Sequence, residues 1–436
     1  MEENLETKEK DLNDIKKELN ASPMYNLSLS SKELFHSNFL AWLGNNMETR
    51  PFFVAVINEL AGIVLDSNGD WKVAREDKNF DLCIREEKTN EKGKKYNDYL
   101  LVIENKVKSI PRKSQLDEYV NKIKILRGNK ENTNDTKYLL LTLVEKFPHK
   151  DDINKENGGD WQIKTYNDLA NIMDMDKNKS LVKDSYFKLL LNDYKVFIEN
   201  MNALAGIWLS DTNKEAFAKT TDFKGLEKIS DLYAKLQFSM YCIKLQDMIQ
   251  GLGDNIMVCD SIQDGSDNDI YIYVGWGYSS KGKSGLLDIA IPVAYDNEND
   301  NYNEKPKIKY GCCFPKCEYT IKIQVQGRSY CHVLEKTSGD RNLVKTGYGA
   351  PYTDDLGWFS KKDPKDPQSD SKVNYGNNNL FENGLYPQNK VSNWPFKSYS
   401  STFIYQSKII NENAKVDDVL KNIVGEVERV LAWLSK

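Results

Sequence analysis

The spacing of apolar and polar positions gives the first half of the chain an alternating texture of helical and strand-like segments. The strand-like segments cover residues 71–76, 80–85, 99–106, 137–144 and 161–166. Helical periodicity separates and flanks them, so we expect an α/β domain over residues 1–210, with a mixed central sheet between helices. The highly charged residues 1–20 predict a peripheral surface helix.

A helix is predicted to begin near Glu33. The sequence Ser30-Ser-Lys-Glu33 has the form of a capping box, in which a Ser side chain and a Glu side chain satisfy free backbone N–H groups. The apolar residues that follow predict an inward face made of Leu34, Phe35, Phe39, Leu40, Trp42 and Leu43. Further along, the polar run 86–97 predicts a hairpin tip or a flexible loop.

The texture changes at about residue 211. A long helix is predicted over 222–250, several strand-like segments follow, and a last helix is predicted over 417–434. Residues 340–400 are rich in Gly, Asn, Asp and Pro, which is typical of long loops. We therefore expect a second, α+β domain over 211–436, with a role in substrate selection or partner binding.

Composition narrows the class of protein. A chain of 436 residues predicts two or three domains. No apolar run approaches the ~20 residues of a membrane helix, and the acidic start lacks the layout of a signal peptide, so a cytoplasmic protein without membrane contact is expected. A net charge of −5 argues against coating nucleic acid through the global field, although a local basic cleft remains compatible with it.

The seven cysteines form an odd, dispersed set that fits reduced thiols better than disulfides. Four of them, Cys312, Cys313, Cys317 and Cys331, lie near each other in sequence. Their spacing is looser than that of ordinary zinc sites, so buried strand cysteines are the favoured interpretation and zinc binding stays open.

Candidate chemistry stands at the end of the segment Tyr99-Leu-Leu-Val-Ile-Glu-Asn-Lys106. In a strand, side chains alternate between faces, so Glu104 and Lys106 project together from an otherwise apolar strand. Asp81 begins its own short apolar run and lies alongside if the two segments pair. Two carboxylates and an ammonium group suit one task well, which is holding Mg²⁺ and activating water beside a phosphate.

Asp81, then Glu104-Asn-Lys106, then Gln115 at a helix start resemble the PD-(D/E)XK nuclease superfamily. The helix Glu33-Leu-Phe-His-Ser-Asn-Phe-Leu-Ala-Trp-Leu43 is similar to that of one bacterial branch, and Lys283–Pro292 and Gly327–His332 are similar to its C-terminal region. The resemblance is specific over residues 33–166 and implies a restriction-endonuclease-like fold. Asp81 follows Phe80 where the superfamily name has a proline.

The resemblance implies a metal-dependent nuclease that hydrolyses phosphodiesters in nucleic acid, with DNA as the expected substrate and bacterial defence as the implied role. Asp81 and Glu104 would ligate Mg²⁺, with Mn²⁺ able to substitute, and the Asn105 carbonyl would assist. Glu33 would add a ligand or hold a metal-bound water. The expected partners are the nucleic acid, a second copy of the chain or a defence-system protein.

The resemblance also implies roles for residues around these acids. Lys106 would orient or deprotonate the attacking water and stabilise charge on the phosphorane, and Gln115 would position Lys106 or a phosphate oxygen. Lys108, Arg112 and Lys113 flank the site and are candidates for contacts with the phosphate backbone, although exposed loop cations are more often only solvated.

Several of these residues also have a simpler, structural interpretation. Glu33 can complete a capping box, Gln115 can be a helix-initiating residue, and His36 can be a packed residue near the site rather than a metal ligand. Glu76 is an alternative acid, on the opposite face unless residues 77–79 form a turn. The rival function is a catalytically silent module that keeps the nuclease fold to bind nucleic acid or protein.

Overall fold

The computed structural model divides the chain into two compact units. The first comprises 1–210 and 223–236, and the second comprises 211–222 and 237–436. The residues described are 11–27, 33–89, 93–127, 136–155, 160–209, 225–226, 228–259, 270–279, 284–296, 307–309, 319–326, 329–336, 397–400, 403–410 and 414–434. Ser30 of the predicted capping box and Cys312, Cys313 and Cys317 lie outside these ranges.

The first unit is a five-stranded sheet with helices around it. Its strands are β1 (Trp71–Arg75), β2 (Leu82–Thr89), β3 (Lys95–Lys106), β4 (Lys137–Thr142) and β5 (Trp161–Thr165). Its helices are α1 (Leu12–Ala21), α2 (Pro23–Leu27), α3 (Glu33–Asn45), α4 (Arg50–Ala61), α5 (Lys113–Leu126), α6 (Tyr166–Asp174), α7 (Asp176–Lys179) and α8 (Ser185–Leu209). The predicted α/β class is confirmed.

The sheet is mixed and its strands follow chain order from β1 to β5. β1, β2 and β3 pair antiparallel, and β3, β4 and β5 pair parallel. This order places β3 in the centre, where both faces are covered, and its residues from Leu101 to Lys106 are all buried. The apolar character of β3 and β4 follows from that position.

The β2–β3 hairpin is longer than the sequence predicts. Both strands continue into the polar run, with Thr89 paired to Lys95. Ion pairs across the strands accompany this extension, because Lys88 Nζ lies 2.5 Å from Asp98 Oδ2 and Lys95 Nζ lies 2.6 Å from Glu87 Oε1. A pattern of apolar residues does not predict these ends of the two strands, because backbone hydrogen bonds and ion pairs hold them together.

The predicted inward face of α3 is wrong at two positions. Leu34 is 42 % exposed and Trp42 is 36 % exposed, whereas His36 and Ser37 are buried. The helix contacts both β1 and β3, so its buried face is set by the neighbours it meets there. The buried polar residues of that face have hydrogen-bond partners. The ring of Trp42 lies near that of Phe187, with 5.8 Å between the two ring centroids.

The second unit is an α+β arrangement built on an eight-stranded sheet. Its strands are β6 (Ile256–Cys259), β7 (Ile270–Ser279), β8 (Ser284–Asp296), β9 (Lys307–Lys309), β10 (Tyr319–Gln326), β11 (Ser329–Lys336), β12 (Lys397–Ser400) and β13 (Phe403–Ile409). Helix α9 (Ser230–Gln250), which begins in the first unit, and helix α10 (Val416–Leu434) contribute residues to the apolar core of this sheet. Cys331 lies on β11, half-buried.

Within the described ranges, every helix is too short or too polar to cross a membrane.

Two helical glycines give a matched test of how tightly α3 is packed. A Cβ on Gly44 would lie 2.4 Å from Val73 Cγ2 and 2.8 Å from Phe53 Cε1, whereas a Cβ on Gly206 of α8 would meet nothing within 4 Å. We expect Gly44→Ala to lower the free energy of unfolding by about 1–3 kcal/mol, as overpacking does.

Gly206→Ala is the control and should raise the free energy of unfolding by about 0.5–1 kcal/mol, through helix propensity alone. Both values are measured by calorimetric unfolding of the full chain. Equal effects of the two substitutions would show that α3 is not packed as described.

Candidate active site

Glu104 and Lys106 meet at the carboxyl end of the central strand. Lys106 Nζ lies 2.5 Å from Glu104 Oε1, which confirms that the two side chains share a face of β3. Glu104 is 1 % exposed and Lys106 is 9 % exposed. Burying two charges is costly unless they are paired and hydrogen-bonded, so this ion pair must be supported by its surroundings.

Asp81 joins the pair from the start of β2. The antiparallel register sets Leu82 opposite Ile103, which brings Asp81 beside Glu104. Its Oδ2 accepts a hydrogen bond from the backbone N–H of Asn105 at 3.0 Å. Burial, followed by the charge of Glu104, raises the pKa of Asp81 to about 7, against the lowering effects of that hydrogen bond and of Lys106. The charge of Glu104 thus adds to the effect of burial on Asp81.

The first turns of α5 cover the site from another side. Gln115 Nε2 donates to Glu104 Oε1 at 2.9 Å, so the structure brings Gln115 to the acid rather than only to the helix start. The same amide lies 3.4 Å from the hydroxyl of Tyr119, which donates to the Asn79 carbonyl at 3.0 Å. Tyr119 is not among the site residues predicted from the sequence, although its position one helical turn after Gln115 indicated that the two side chains share a face of the helix.

Glu33 reaches the end of the same strand from α3. Its Oε1 accepts the backbone N–H groups of Val107 at 3.2 Å and Lys108 at 3.3 Å. Its Oε2 lies 3.5 Å from Lys108 Nζ. Burial tends to lower the pKa of Lys106, but the negative charges of Glu104 and then Glu33 outweigh burial, so the pKa of Lys106 is raised. The structure thus gives Glu33 a contact with the site that does not depend on capping.

The donor atoms suit a hard divalent cation, although no three His, Cys, Asp or Glu side chains of the described ranges already form a metal cluster. Glu104 Oε2 is buried and has no hydrogen-bond partner. A buried carboxylate oxygen without a partner is costly, and a cation would satisfy it. Asp81, Glu104 and the Asn105 carbonyl supply oxygen ligands only, which is the chemistry that Mg²⁺ and Mn²⁺ prefer.

The three flanking cations lie between β3 and α5. Lys108 is half-exposed and contacts Glu33, as given above. Arg112 is the residue before α5, and Lys113 is its first residue. Lys113 Nζ lies 2.6 Å from Asp117 Oδ2, within the same helix. Arg112 and Lys113 therefore lie at the end of α5 from which Gln115 reaches Glu104, and Lys113 has a local structural partner.

Two alternative residues lie elsewhere. Glu76 is exposed and has a left-handed backbone, with φ at 53°, and residues 77–79 form a 3₁₀ turn that separates it from Asp81. His36 is buried in an aromatic cluster, with its ring stacked on Phe197 at 5.8 Å and Nδ1 at 3.0 Å from the hydroxyl of Tyr194. The structure thus gives His36 a packed environment, and Glu76 does not join the acids.

Residues 24–196 match the family model for the PD-(D/E)XK nuclease superfamily. A comparison with curated proteins and one with solved structures each found no match. The matched range contains all of the residues brought together above, and its five-stranded mixed sheet flanked by helices agrees with the restriction-endonuclease-like fold. The predicted resemblance and fold class are therefore confirmed for this part of the chain.

The burial of His36 generates a pH prediction. Burial lowers its pKa to about 3, so between about pH 6.5 and pH 3 the unfolded chain binds a proton that the folded chain excludes. The folded state should therefore lose stability as the pH falls below 6.5, by about 2 kcal/mol at pH 5 from this residue alone. The measurement is the free energy of opening of the α3 amides by hydrogen exchange at pH 7 and pH 5.

His36→Gln should remove this contribution, so its free energy of opening should exceed that of the unaltered chain by about 2 kcal/mol more at pH 5 than at pH 7. His149→Gln, which changes an exposed histidine that pairs with Asp152, should leave it unchanged. A loss of protection at pH 5 that is the same in both variants would show that His36 is not the group responsible.

Proposed function

From the match of residues 24–196 to the family model of the PD-(D/E)XK nuclease superfamily, we propose that this chain is a divalent-metal-dependent nuclease that hydrolyses phosphodiester bonds in DNA. The superfamily supports nuclease activity, and the choice of DNA and a role in bacterial defence are our extension of it. The observation that carries the proposal is the buried pair of Glu104 and Lys106 beside Asp81.

A merely structural reading explains that pair poorly. Replacing a buried ion pair by apolar residues of similar volume is often neutral or stabilising, so the pair adds little to the fold. Here the ammonium group and two acids lie at the end of a strand whose preceding residues, Leu101 to Ile103, are fully buried and apolar. A strand that ends in charged groups, held in place by residues from other elements, is the arrangement that a preformed reaction centre needs.

We assign Mg²⁺ to this site, with Mn²⁺ as a substitute. Asp81, Glu104 and the Asn105 carbonyl would hold it, and Glu33 is the proposed third acid, as a ligand or as acceptor for a metal-bound water. A divalent cation at this position would lower the pKa of water and offset charge on the phosphate.

The side chains around it have separate proposed roles. Lys106, held by Glu104 and nearly excluded from solvent, orients the attacking water and stabilises the charge that develops on the phosphorus oxygens. Gln115 fixes the carboxylate of Glu104, and Tyr119 holds the start of α5 against Asn79. These contacts keep the donors in place before the substrate arrives, which is the source of much of the rate enhancement in such sites.

Substrate contacts are proposed at the rim. Lys108 contacts Glu33, and Arg112 and Lys113 stand at the start of α5, so we propose that these three cations supply the positive charge that a phosphate backbone requires. The second unit is proposed to select substrate or to bind a partner, which we take to be a second copy of the chain or a defence-system protein. Since the overall charge is −5, binding should depend on this local basic rim and weaken steeply with salt.

Cleavage assays with two lysine variants test the proposal. Single- and double-stranded DNA and RNA are incubated with Mg²⁺ and either the unaltered chain or Lys106→Ala. We expect DNA cleavage by the unaltered chain and a loss of about 10²–10⁴-fold in Lys106→Ala, because the group that assists water attack is removed. The rate of product formation is measured by gel.

Lys95→Ala is the matched control. Lys95 is the first residue of the same strand, exposed, and paired only with the hairpin residue Glu87 in the described contacts. Lys95→Ala should cleave DNA at the same rate as the unaltered chain. Equal cleavage by all three proteins, or no cleavage of DNA or RNA by any of them, would refute the nuclease assignment, and the second outcome would favour a catalytically silent binding module.

Removal of divalent metal is a separate test. Excess chelator should abolish cleavage, and added Mg²⁺ or Mn²⁺ should restore it, because the carboxylates act through a bound cation. Asp81→Asn should need a higher Mg²⁺ concentration for half of its maximal rate, since one charged ligand is lost. Cleavage that continues in excess chelator would contradict the metal assignment.

A further inference from the structure

Asn105 stands between Glu104 and Lys106, but its side chain points to the other face of β3. It is fully buried there, with 0 % of the residue exposed. Its Nδ2 donates to Ser37 Oγ at 2.7 Å, and its Oδ1 accepts from the hydroxyl of Tyr166 at 3.2 Å. Both ends of the amide are therefore held, one by α3 and the other by the start of α6.

The two partners also fix the direction of the amide. Ser37 Oγ lies 3.3 Å from the backbone carbonyl of Glu33, to which it donates, so it accepts from Asn105. Tyr166 then supplies the donor at the opposite end. Each end of the amide thus meets a partner of the complementary kind, and rotation of the amide by half a turn would require Ser37 to give up its bond to Glu33 in order to donate to Asn105.

The backbone of Asn105 faces the site. Its N–H donates to Asp81 Oδ2 at 3.0 Å, and its carbonyl is one of the proposed metal ligands. The neighbouring residues on the strand are Glu104 and Lys106. Any shift of Asn105 would therefore move two proposed ligands and the lysine together. In the described hydrogen bonds, Ser37 and Tyr166 meet none of the side chains of the proposed ligands, and Ser37 meets only the backbone carbonyl of Glu33.

We propose that Ser37 and Tyr166 are positioning residues, which hold Asn105 from behind the strand and so keep the oxygen ligands in place before the metal binds. This inference rests on the proposed function. Its physical basis is that flexible ligands must be ordered at the moment of binding, which lowers affinity. Outer partners of metal ligands typically account for 10–100-fold in metal affinity.

The test is the affinity of the full chain for Mn²⁺, measured by calorimetry. Tyr166→Phe removes one hydroxyl and Ser37→Ala removes the other, and each should raise the dissociation constant for Mn²⁺ by about tenfold. Ser37→Thr retains a hydroxyl and should restore most of the affinity. At saturating metal, the rate of DNA cleavage should fall much less than the affinity, because the ligands and Lys106 are still present.

Tyr194→Phe is the matched control. Tyr194 is as deeply buried as Tyr166 and packs in the same aromatic cluster, but its hydroxyl contacts His36 rather than Asn105. It should lower the thermal stability comparably and leave the Mn²⁺ affinity within about twofold, well short of the change expected for an outer partner of a metal ligand. Parallel losses of affinity in Tyr166→Phe and Tyr194→Phe would indicate general destabilisation and would overturn the inference.

Asp81→Asn distinguishes a failure of the proposed metal centre from a failure of the positioning role. If Asp81→Asn weakens or abolishes Mn²⁺ binding while Tyr166→Phe and Ser37→Ala bind like the unaltered chain, the metal centre stands and the positioning role fails. If the unaltered chain binds no Mn²⁺, or Asp81→Asn binds it equally well, the proposed metal centre fails and the positioning role with it.

Discussion

The burial of the Glu104–Lys106 ion pair at the end of β3 is the constraint on which the rest of the site depends. The two atoms of the pair are 2.5 Å apart and almost entirely removed from solvent. Charges taken out of water lose hydration that their mutual attraction repays only with good geometry and further hydrogen bonds. The fold must therefore supply those bonds around a strand that is otherwise apolar.

Three separate elements meet this requirement. Gln115 of helix α5 donates a hydrogen bond to Glu104, and Asp81, from the turn before β2, accepts one from the backbone N–H of Asn105. Helix α3 sends Glu33 to the backbone just beyond the strand. None of these groups is adjacent in sequence to another, so the site exists only when the hairpin, α3 and α5 pack together. The same packing that folds the first unit thus assembles its candidate chemistry.

What the sequence could predict followed from local periodicity. Alternation in a strand required Glu104 and Lys106 to share a face, and apolar runs separated by helical patterns indicated the mixed sheet. Periodicity failed on α3, where Leu34 is exposed and Ser37 is buried. Hydrophobicity cannot show that a serine will be buried because it meets an asparagine 68 residues away, since that bond depends on tertiary contact.

The same limit explains the residues whose roles were ambiguous. A capping box explained Glu33 equally well from sequence, because Ser30 and Glu33 have the right spacing. Its contact with the Val107 and Lys108 amides spans more than 70 residues and could not be read from that spacing. Tyr119 was easier to predict, because it lies one helical turn from Gln115. The local sequence did not indicate, however, that its hydroxyl donates to the carbonyl of Asn79.

The charge balance of the assembled groups joins these observations. Three carboxylates, from Glu33, Asp81 and Glu104, lie around one buried ammonium group, and Lys108, the flanking cation that contacts Glu33, is 38 % exposed and screened by solvent. Two negative charges are thus left uncompensated in a site of low polarity. Burial is the main cause of the raised pKa of Asp81, and the charges of Glu104 and, least of all, Glu33 add to it. A divalent cation would offset this charge, which favours the proposed role of these acids as ligands over a part in a structural core.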